Sequence, residues 1–365
     1  MAMVHAPFNG NLNQNEIYSA IYNLIIEQQV FADPIKGTYG KLVDAFKTDG
    51  GLYGDTKLFY SVQIGDVEDW SNDSEAANLL ALNRPAAPYC QAVSIDTFKK
   101  IWLTVDNFMS KRAFGSEGVF AQFNSVILGT IRDTKRVYEA TNVNAFVGSE
   151  ATSTGSQTVT ITLPSAETGD LTADKEALNR MKAQTIAENI ADVLVNVEDV
   201  TTLYNDLGYL RSYDKDDLIF VWNADYYNQI TKLDLPTIFH DQGLIDKLGQ
   251  YILPAKYFGD VSSATTSVAN ARARKDFKVG TTKYRAGDVV TTGSTVAAGS
   301  TYVPNSKIIC KIIHKDAIKY MSGFETATEF FNPRSLTNSH YLIFGHSSLE
   351  NSRLKEFPYI TIKTA

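Results

Sequence analysis

The sequence predicts an α+β protein, on three observations. Residues 115–141 and 171–197 carry apolar side chains at helical spacing, whereas residues 217–223 and 307–313 are continuously apolar, as buried strands are. These segments do not alternate in the regular βαβ order of a parallel α/β fold. At 365 residues, 44% of them hydrophobic and 11% aromatic, the chain is long and apolar enough to bury a sizeable core as one large domain or two.

Taken in order, residues 15–33 place Ile17, Ile21, Leu24 and Ile25 in helical register and then break at Pro34 and Gly37. A second short helix is expected over residues 41–46. The pair reads as an arm that is stabilised by what it lies against. Residues 57–64 (KLFYSVQI) alternate and are rich in aromatic and β-branched side chains, as a strand is, and residues 91–105 read the same way. Between them runs a polar excursion, so the two strands form an extended hairpin that needs a partner surface.

The stretch GSEGVFAQFNSVILGTIRDTKRVYEAT, residues 115–141, is the spine of the prediction. Val119, Phe123, Val126, Ile127, Ile131, Thr134, Val137 and Tyr138 line one helical face. Ser116 is placed to cap the start, and Glu117 complements the positive end of the helix dipole. Its first half has no charge between Glu117 and Arg132, so the helix is expected to begin buried and end wet. Strands are expected at residues 158–164 and a second long helix at 171–197, with Leu178, Met181, Ile186, Ile190, Leu194 and Val197 on one face. Residues 217–223 (DLIFVWN) read as a central strand and 225–232 as a short helix. Residues 261–269, rich in Ser and Thr, read as a mobile loop, and 278–303 as β-turns with short strands. A buried strand at 307–313, a helix at 315–321, a turn at 330–338 and two closing strands in HYLIFGH and FPYITIKTA complete the order.

The chemistry of the sequence is mostly exclusion. A net charge of −7 argues against a protein whose main task is to grip phosphates. Cys90 and Cys310 fit no metal or redox spacing and are expected to be reduced and buried. The start carries no positive region followed by an apolar one, and no window approaches a membrane span, so synthesis in cytosol and no membrane partner are expected. Phosphate-binding loops, dinucleotide fingerprints, HExxH, CxxC and nucleophile-elbow patterns are absent, so no catalytic, cofactor-binding or metal residues are assigned. His340 and His346 share a strand face, where packing is the default. The acidic groups Asp66, Glu68, Asp69, Asp73 and Glu75, and Asp214, Asp216 and Asp217, read as solvated runs. The basic group Arg272, Arg274, Lys275, Lys278, Lys283 and Arg285 reads as a loop pairing with an acidic neighbour.

The order of elements, from amphipathic arm through β-excursion, spine helix and mixed α/β region to returning strands, resembles the major capsid proteins of tailed phages, which have the Hong Kong 97 fold. LNRPAAPYCQAVSIDTFKKIWLTVDNF (residues 82–108) is similar to the returning strand of their extended loop in short-tailed phages. DLIFVWNADYYNQITK (217–232) resembles their axial-domain strand and helix, and IIHKDAIKYM (312–321) with NPRSLTNSHYLIFGH (332–346) their C-terminal strand, turn and strand. The resemblance implies an N-terminal arm (1–50), an E-loop hairpin (51–110), a peripheral domain with the spine helix (111–150), an axial domain (151–310) and returning peripheral strands (311–365). It implies a coat protein, not an enzyme, that assembles with itself as pentamers and hexamers into an icosahedral shell around double-stranded DNA, held non-specifically at the inner face. Portal, scaffolding and decoration proteins are the implied partners, and the virion, assembled in a bacterial cytoplasm, the location. Subunit contacts are expected at Trp70, Leu82, Arg84, Arg132, Arg136 and Arg334. The loop departs from relatives in carrying Leu82, Asn83, Arg84 and Pro85 where acidic residues are frequent. Three rivals remain at this stage: an encapsulin-like nanocompartment, a β-rich carbohydrate-binding surface protein, suggested by 19 tyrosines, and an enzyme with an unrecognised site.

Overall fold

In a computed structural model of the chain, residues 40–49, 55–65, 67, 84–106, 117–150, 155–165, 175–230 and 251–365 are described. The elements in order are α1 (Lys41–Phe46), β1 (Lys47–Asp49), β2 (Thr56–Ser61), β3 (Tyr89–Asp106), α2 (Glu117–Ser149), β4 (Thr158–Ile161), α3 (Lys175–Glu198), β5 (Leu218–Asn223), α4 (Ala224–Ile230), β6 (Tyr251–Leu253), β7 (Gly259–Ser262), β8 (Arg272–Ala273), β9 (Phe277–Val279), β10 (Thr282–Tyr284), β11 (Thr301–Pro304), β12 (Ile308–His314), β13 (Tyr320–Asn332), β14 (Thr337–Ser347), α5 (Leu349–Ser352) and β15 (Tyr359–Thr364). The predicted arm helix at 15–33 lies outside the described residues.

Two five-stranded sheets carry the fold. One has the order β4-β15-β12-β5-β6. Its centre explains the apolar runs in the sequence, because both faces are covered. Phe220 and Trp222 of β5, with Cys310 and Ile312 of β12, pack in one cluster with Ile186, Ile190 and Leu194 of α3. The alternate residues, Val221 and Ile313, pack in another with Val143, Phe146 and Val147 of α2 and with Phe46 of α1. A strand covered on both sides has no reason to alternate. The second sheet, β1-β13-β14-β3-β2, is long and narrow. Ile101 and Leu103 of β3, with Leu342 and Phe344 of β14, meet Ile131 and Tyr138 of α2 on one face.

α2 runs 33 residues, eight beyond the predicted end, and at 1.5 Å per residue is a rod of about 50 Å. Asn142, Asn144 and Gly148 are weak helix formers, yet every residue from Asn142 to Ser149 is buried. Tertiary packing therefore overrides propensity. The expectation that the helix ends wet is wrong: Glu139 is buried, Arg136 is half-buried and only Arg132 of that charged group is fully exposed. The charges that looked like a solvated face sit where α2 passes between α1 and the long sheet. The helix end approaches the 255–257 turn closely, and a Cβ added at Gly148 would lie 2.2 Å from the Tyr257 carbonyl oxygen, so only glycine fits there.

Other expectations are corrected in detail. Residues 315–321 form no helix. The segment is too short to hold one alone; Ala317 N–H donates to His314 O at 2.9 Å, Ile318 bridges to Arg353, and Tyr320 and Met321 enter β13 against β1. The hairpin of β2 with β3 exists, but β2 covers only Tyr89–Ser94, and the remainder of β3 pairs with β14. The run 261–269 is stapled rather than mobile: Val261 and Ser262 pair with β11, and Ser267 N–H donates to Ser294 O at 2.9 Å. Cys310 is buried as expected, whereas Cys90 is exposed, because it stands opposite Tyr60 on the uncovered face of the hairpin.

Candidate functional site: assembly surfaces and a buried charge hub

The hairpin of β2 and β3 exposes an apolar stripe. Leu58, Tyr60, Val62 and Ile64 are separated by two residues each, which places them on one face of an extended chain, and each is between 51% and 62% exposed. On the long sheet Phe98, Trp102 and Phe330 are likewise exposed, on the face turned away from α2. Large apolar side chains aligned on a strand face in this way mark a surface that another molecule covers.

Under these surfaces the C-terminal end of α2 closes on a network of buried charge. Arg274 Nη2 and Arg353 Nη1 both donate to the Glu150 carboxylate, the second at 3.0 Å, and Arg353 Nη2 donates to Asp206 Oδ2 at 2.6 Å. Arg274 also donates from Nη1 to Glu350 Oε1 at 3.3 Å. Gln157 donates from Nε2 to Asp206 at 2.7 Å while its Oε1 accepts the Tyr359 amide at 2.9 Å. Lys311 Nζ donates to the Glu150 carbonyl, and the Lys311, Arg353 and Arg274 cations lie over the rings of Tyr359, Tyr359 and Phe146 at 5.4, 5.1 and 4.8 Å. Cations gathered at the carbonyl end of a helix complement its dipole. The hub brings together the residues that follow α2, β8 and α5 with β12 and β15 of the first sheet.

Lys311 is the residue that the sequence reading passed over. One lysine inside the apolar run IICKIIH was the available signal. Burial lowers its pKa to about 7, reinforced by Arg353 and Arg274 and opposed by Glu150 and Asp260. Because the folded value lies below the unfolded one, the cost of burying the ammonium is fully present below about pH 7 and is relieved as pH rises. Unfolding free energy is expected to climb between about pH 7 and 10, by up to about 1.4 kcal/mol per unit. Above about pH 10 the buried phenols of Tyr138, Tyr213 and Tyr359, whose pKa values are raised chiefly by burial, reverse the trend. Urea titrations from pH 6 to 10 check this, and Lys311→Met should remove the rise.

Of the two histidines, His346 resolves as packing. Tyr138 donates to His346 Nε2 at 3.0 Å and His346 Nδ1 donates to Ser347 O at 2.8 Å, with burial lowering the imidazole pKa. Among the acids, Asp214 caps a turn at the Asp216 amide and Asp217 pairs with Lys315 at 2.6 Å. Arg274 and Lys275 do pair with an acidic neighbour, Glu350. Of the predicted contact residues, Trp70 and Leu82 lie outside the described residues. Arg84 is exposed in the approach to β3, Arg132 is exposed on α2 and Arg334 is exposed in the β13–β14 turn, its amide donating to Asn332 Oδ1 at 3.1 Å. They stand on separate elements and form no single site. Among the described residues no group of His, Cys, Asp and Glu is placed to hold a metal, and no helix is long and apolar enough to cross a membrane.

A family model described as Phi29-like phage major capsid protein matches residues 7–361. Among solved structures the chain is similar to one in the capsid of Staphylococcus phage Andhra, with a TM-score of 0.63 and 14% identity over 93% of this chain and 87% of that one. It is also similar to one in the structure of head fiber and inner core protein gp22 of native bacteriophage P68, with a TM-score of 0.61 and 13% identity over 92% and 88%. No curated protein matches. At these identities the structural likenesses establish the fold.

Proposed function

The chain belongs to the Phi29-like phage major capsid protein family, and from that membership we propose how it builds a shell: as pentamers and hexamers closing into an icosahedral coat around packaged double-stranded DNA. The observation that carries this reading is the aligned stripe Leu58, Tyr60, Val62 and Ile64, which the single chain leaves half exposed. A coat subunit covers such a stripe with its neighbour, and repetition of that contact by symmetry propagates the shell. Residues 1–50 act as an arm, 51–110 as the E-loop, 111–150 and 311–365 as the peripheral domain and 151–310 as the axial domain of a Hong Kong 97 fold. The contacts Trp70, Leu82, Arg84, Arg132 and Arg334 then serve neighbouring copies, while Arg136, half-buried within its own subunit, serves them less.

The net charge of −7 suits a wall that confines DNA without adhering to it. Portal and scaffolding proteins are the remaining partners in this reading, which places assembly in the host cytoplasm and the finished protein in the virion, with a structural role and no reaction to catalyse. Electron microscopy and sedimentation of the purified chain test it. Closed shells, pentamers or hexamers are expected; a monodisperse monomer at every concentration, alone and with phage partner proteins, would overturn it.

A further inference from the structure

Between residues 130–141 of α2, residues 99–101 of β3 and the β9–β10 hairpin lies a cleft of about 640 Å³, within the range of pockets that hold a drug-sized organic ligand. Its walls are of three kinds. Ile101, Val137, Phe277 and Phe344 supply an apolar floor, and Phe277 packs on Tyr284 with the ring centroids 5.5 Å apart. Thr130, Thr134 and Asp133 of α2 supply hydroxyls and a carboxylate. Lys99, Lys278, Lys283 and Arg285 supply positive charge, and none of the four forms an ion pair with another of the described residues. Of the basic group at 272–285, Arg274 and Lys275 pair with Glu350, and Arg272 donates to the Gly287 carbonyl at 2.7 Å; Lys278, Lys283 and Arg285 are what that pairing leaves over. Lys278 and Lys283 are direct cross-strand partners in the β9–β10 register. Like charges in that position destabilise a hairpin, and an anion seated between them removes the penalty.

We propose that this cleft binds a nucleoside polyphosphate, with its phosphates among Lys278, Lys283 and Arg285 and its base on Phe277 and the apolar floor. Several unpaired cations around one opening match a head group of several negative charges better than a single carboxylate. A lipid anion would cover the floor but leave the hydroxyls and the carboxylate on α2 unused, whereas ribose hydroxyls and the amino groups of a base pair with both. Inorganic polyphosphate would use the cations and leave the floor bare. Duplex nucleic acid keeps its bases stacked inside and cannot reach the floor of a concave site. Aromatic side chains beside Lys and Arg are the means by which proteins hold unpaired bases. The sequence has no phosphate-binding loop, so the charge comes from side chains on β3, β9, β10 and the residue after β10, and the arrangement binds without hydrolysing. Self-association is not required for this binding.

Calorimetric titration of the full chain with ATP, below the concentration at which shells form, is the first test. Saturable binding at one site per chain is expected, with adenosine and inorganic triphosphate each at least about tenfold weaker, because each engages only one part of the cleft. No saturable binding of ATP overturns the proposal. Inorganic triphosphate that binds as tightly as ATP would reduce the cleft to an anion patch, and dodecyl phosphate that binds more tightly would make it a lipid site; either result refutes a nucleotide. Lys278→Glu with Lys283→Glu should weaken ATP at least about tenfold. Thr134→Trp, at an exposed position where the new ring fills the cleft, should abolish binding, and Arg334→Glu, on the β13–β14 turn, should leave it unchanged. Thermal unfolding of the ligand-free variants at the wild-type temperature shows that they fold. Irradiation of the wild-type chain with 8-azido-ATP then locates the base without any substitution. Labelled peptides from residues 130–141 and 276–285 are expected, and label confined to other peptides sinks the assignment. A short oligothymidylate that binds there and is not displaced by ATP would make a single strand the occupant and count equally against it.

Discussion

Replacing Glu150 with alanine will lower the unfolding free energy by about 3–5 kcal/mol. The substitution leaves the guanidinium groups of Arg274 and Arg353, both buried, without the carboxylate that each of them donates to. Removing one member of a buried ion network costs more than the network itself contributes, because the survivors keep their desolvation and here each loses one of its carboxylates, Arg353 keeping Asp206 and Arg274 keeping the more exposed Glu350. Glu350 is the control. It pairs with Arg274 at 3.3 Å, but its side chain is 42% exposed, so Glu350→Ala should cost less than about 1 kcal/mol. Urea unfolding with an unchanged m-value measures both. Equal losses would mean that burial does not govern the hub.

The second large effect is on assembly. Leu58→Asp with Tyr60→Asp puts two charges into the exposed stripe of β2, where both side chains are more than half exposed in the single chain. Monomer stability should change by less than about 0.5 kcal/mol per site. Covering each side chain contributes about 1.5–3 kcal/mol to a contact, and each 1.4 kcal/mol is tenfold in concentration. The threshold concentration for shells should therefore rise by at least about 100-fold, read by light scattering across a dilution series. Shells that form at the wild-type threshold would show that this face is not a contact.

What the sequence disclosed follows the range of the interactions involved. α1 was legible to the residue, and β5 and β12 nearly so, because apolar run length is a local property. The last turns of α2 were not. Asn142 and Gly148 argue for a stop locally, and the contacts that overrule them come from residues more than a hundred positions away: Asn142 accepts the Asp276 amide, and Gly148 packs against Tyr257. Residues 315–321 failed for the opposite reason. Their helical spacing was real but too short to prevail over pairing with β1 and a bridge to Arg353. The hub draws on positions 150, 206, 274, 311, 350 and 353, and no pattern in one dimension links them; only Lys311 stands out against its neighbours. The contact residues fared similarly. Arg132 and Arg136 read alike as charges on one helix, and only packing against α1 and the long sheet separates them.

One consequence of the sheet orders concerns time. β15, residues 359–364, lies between β4 and β12, and β14 lies between β13 and β3. Neither sheet can close until strands from residues 308–364 are available, and the β3 partners of β14 were synthesised up to 252 residues earlier, as Ile95 is from Ser347. At roughly 5–20 residues per second, the ribosome holds the earlier strands unpaired for at least about ten seconds. Non-local pairing of this kind also slows folding itself. The sticky hairpin is thus exposed on a nascent chain well before the subunit that bears it is complete. Ribosome-bound chains truncated before residue 308 should be protease-sensitive across both sheets, and a coat subunit built this way enters the assembly pool only after its release.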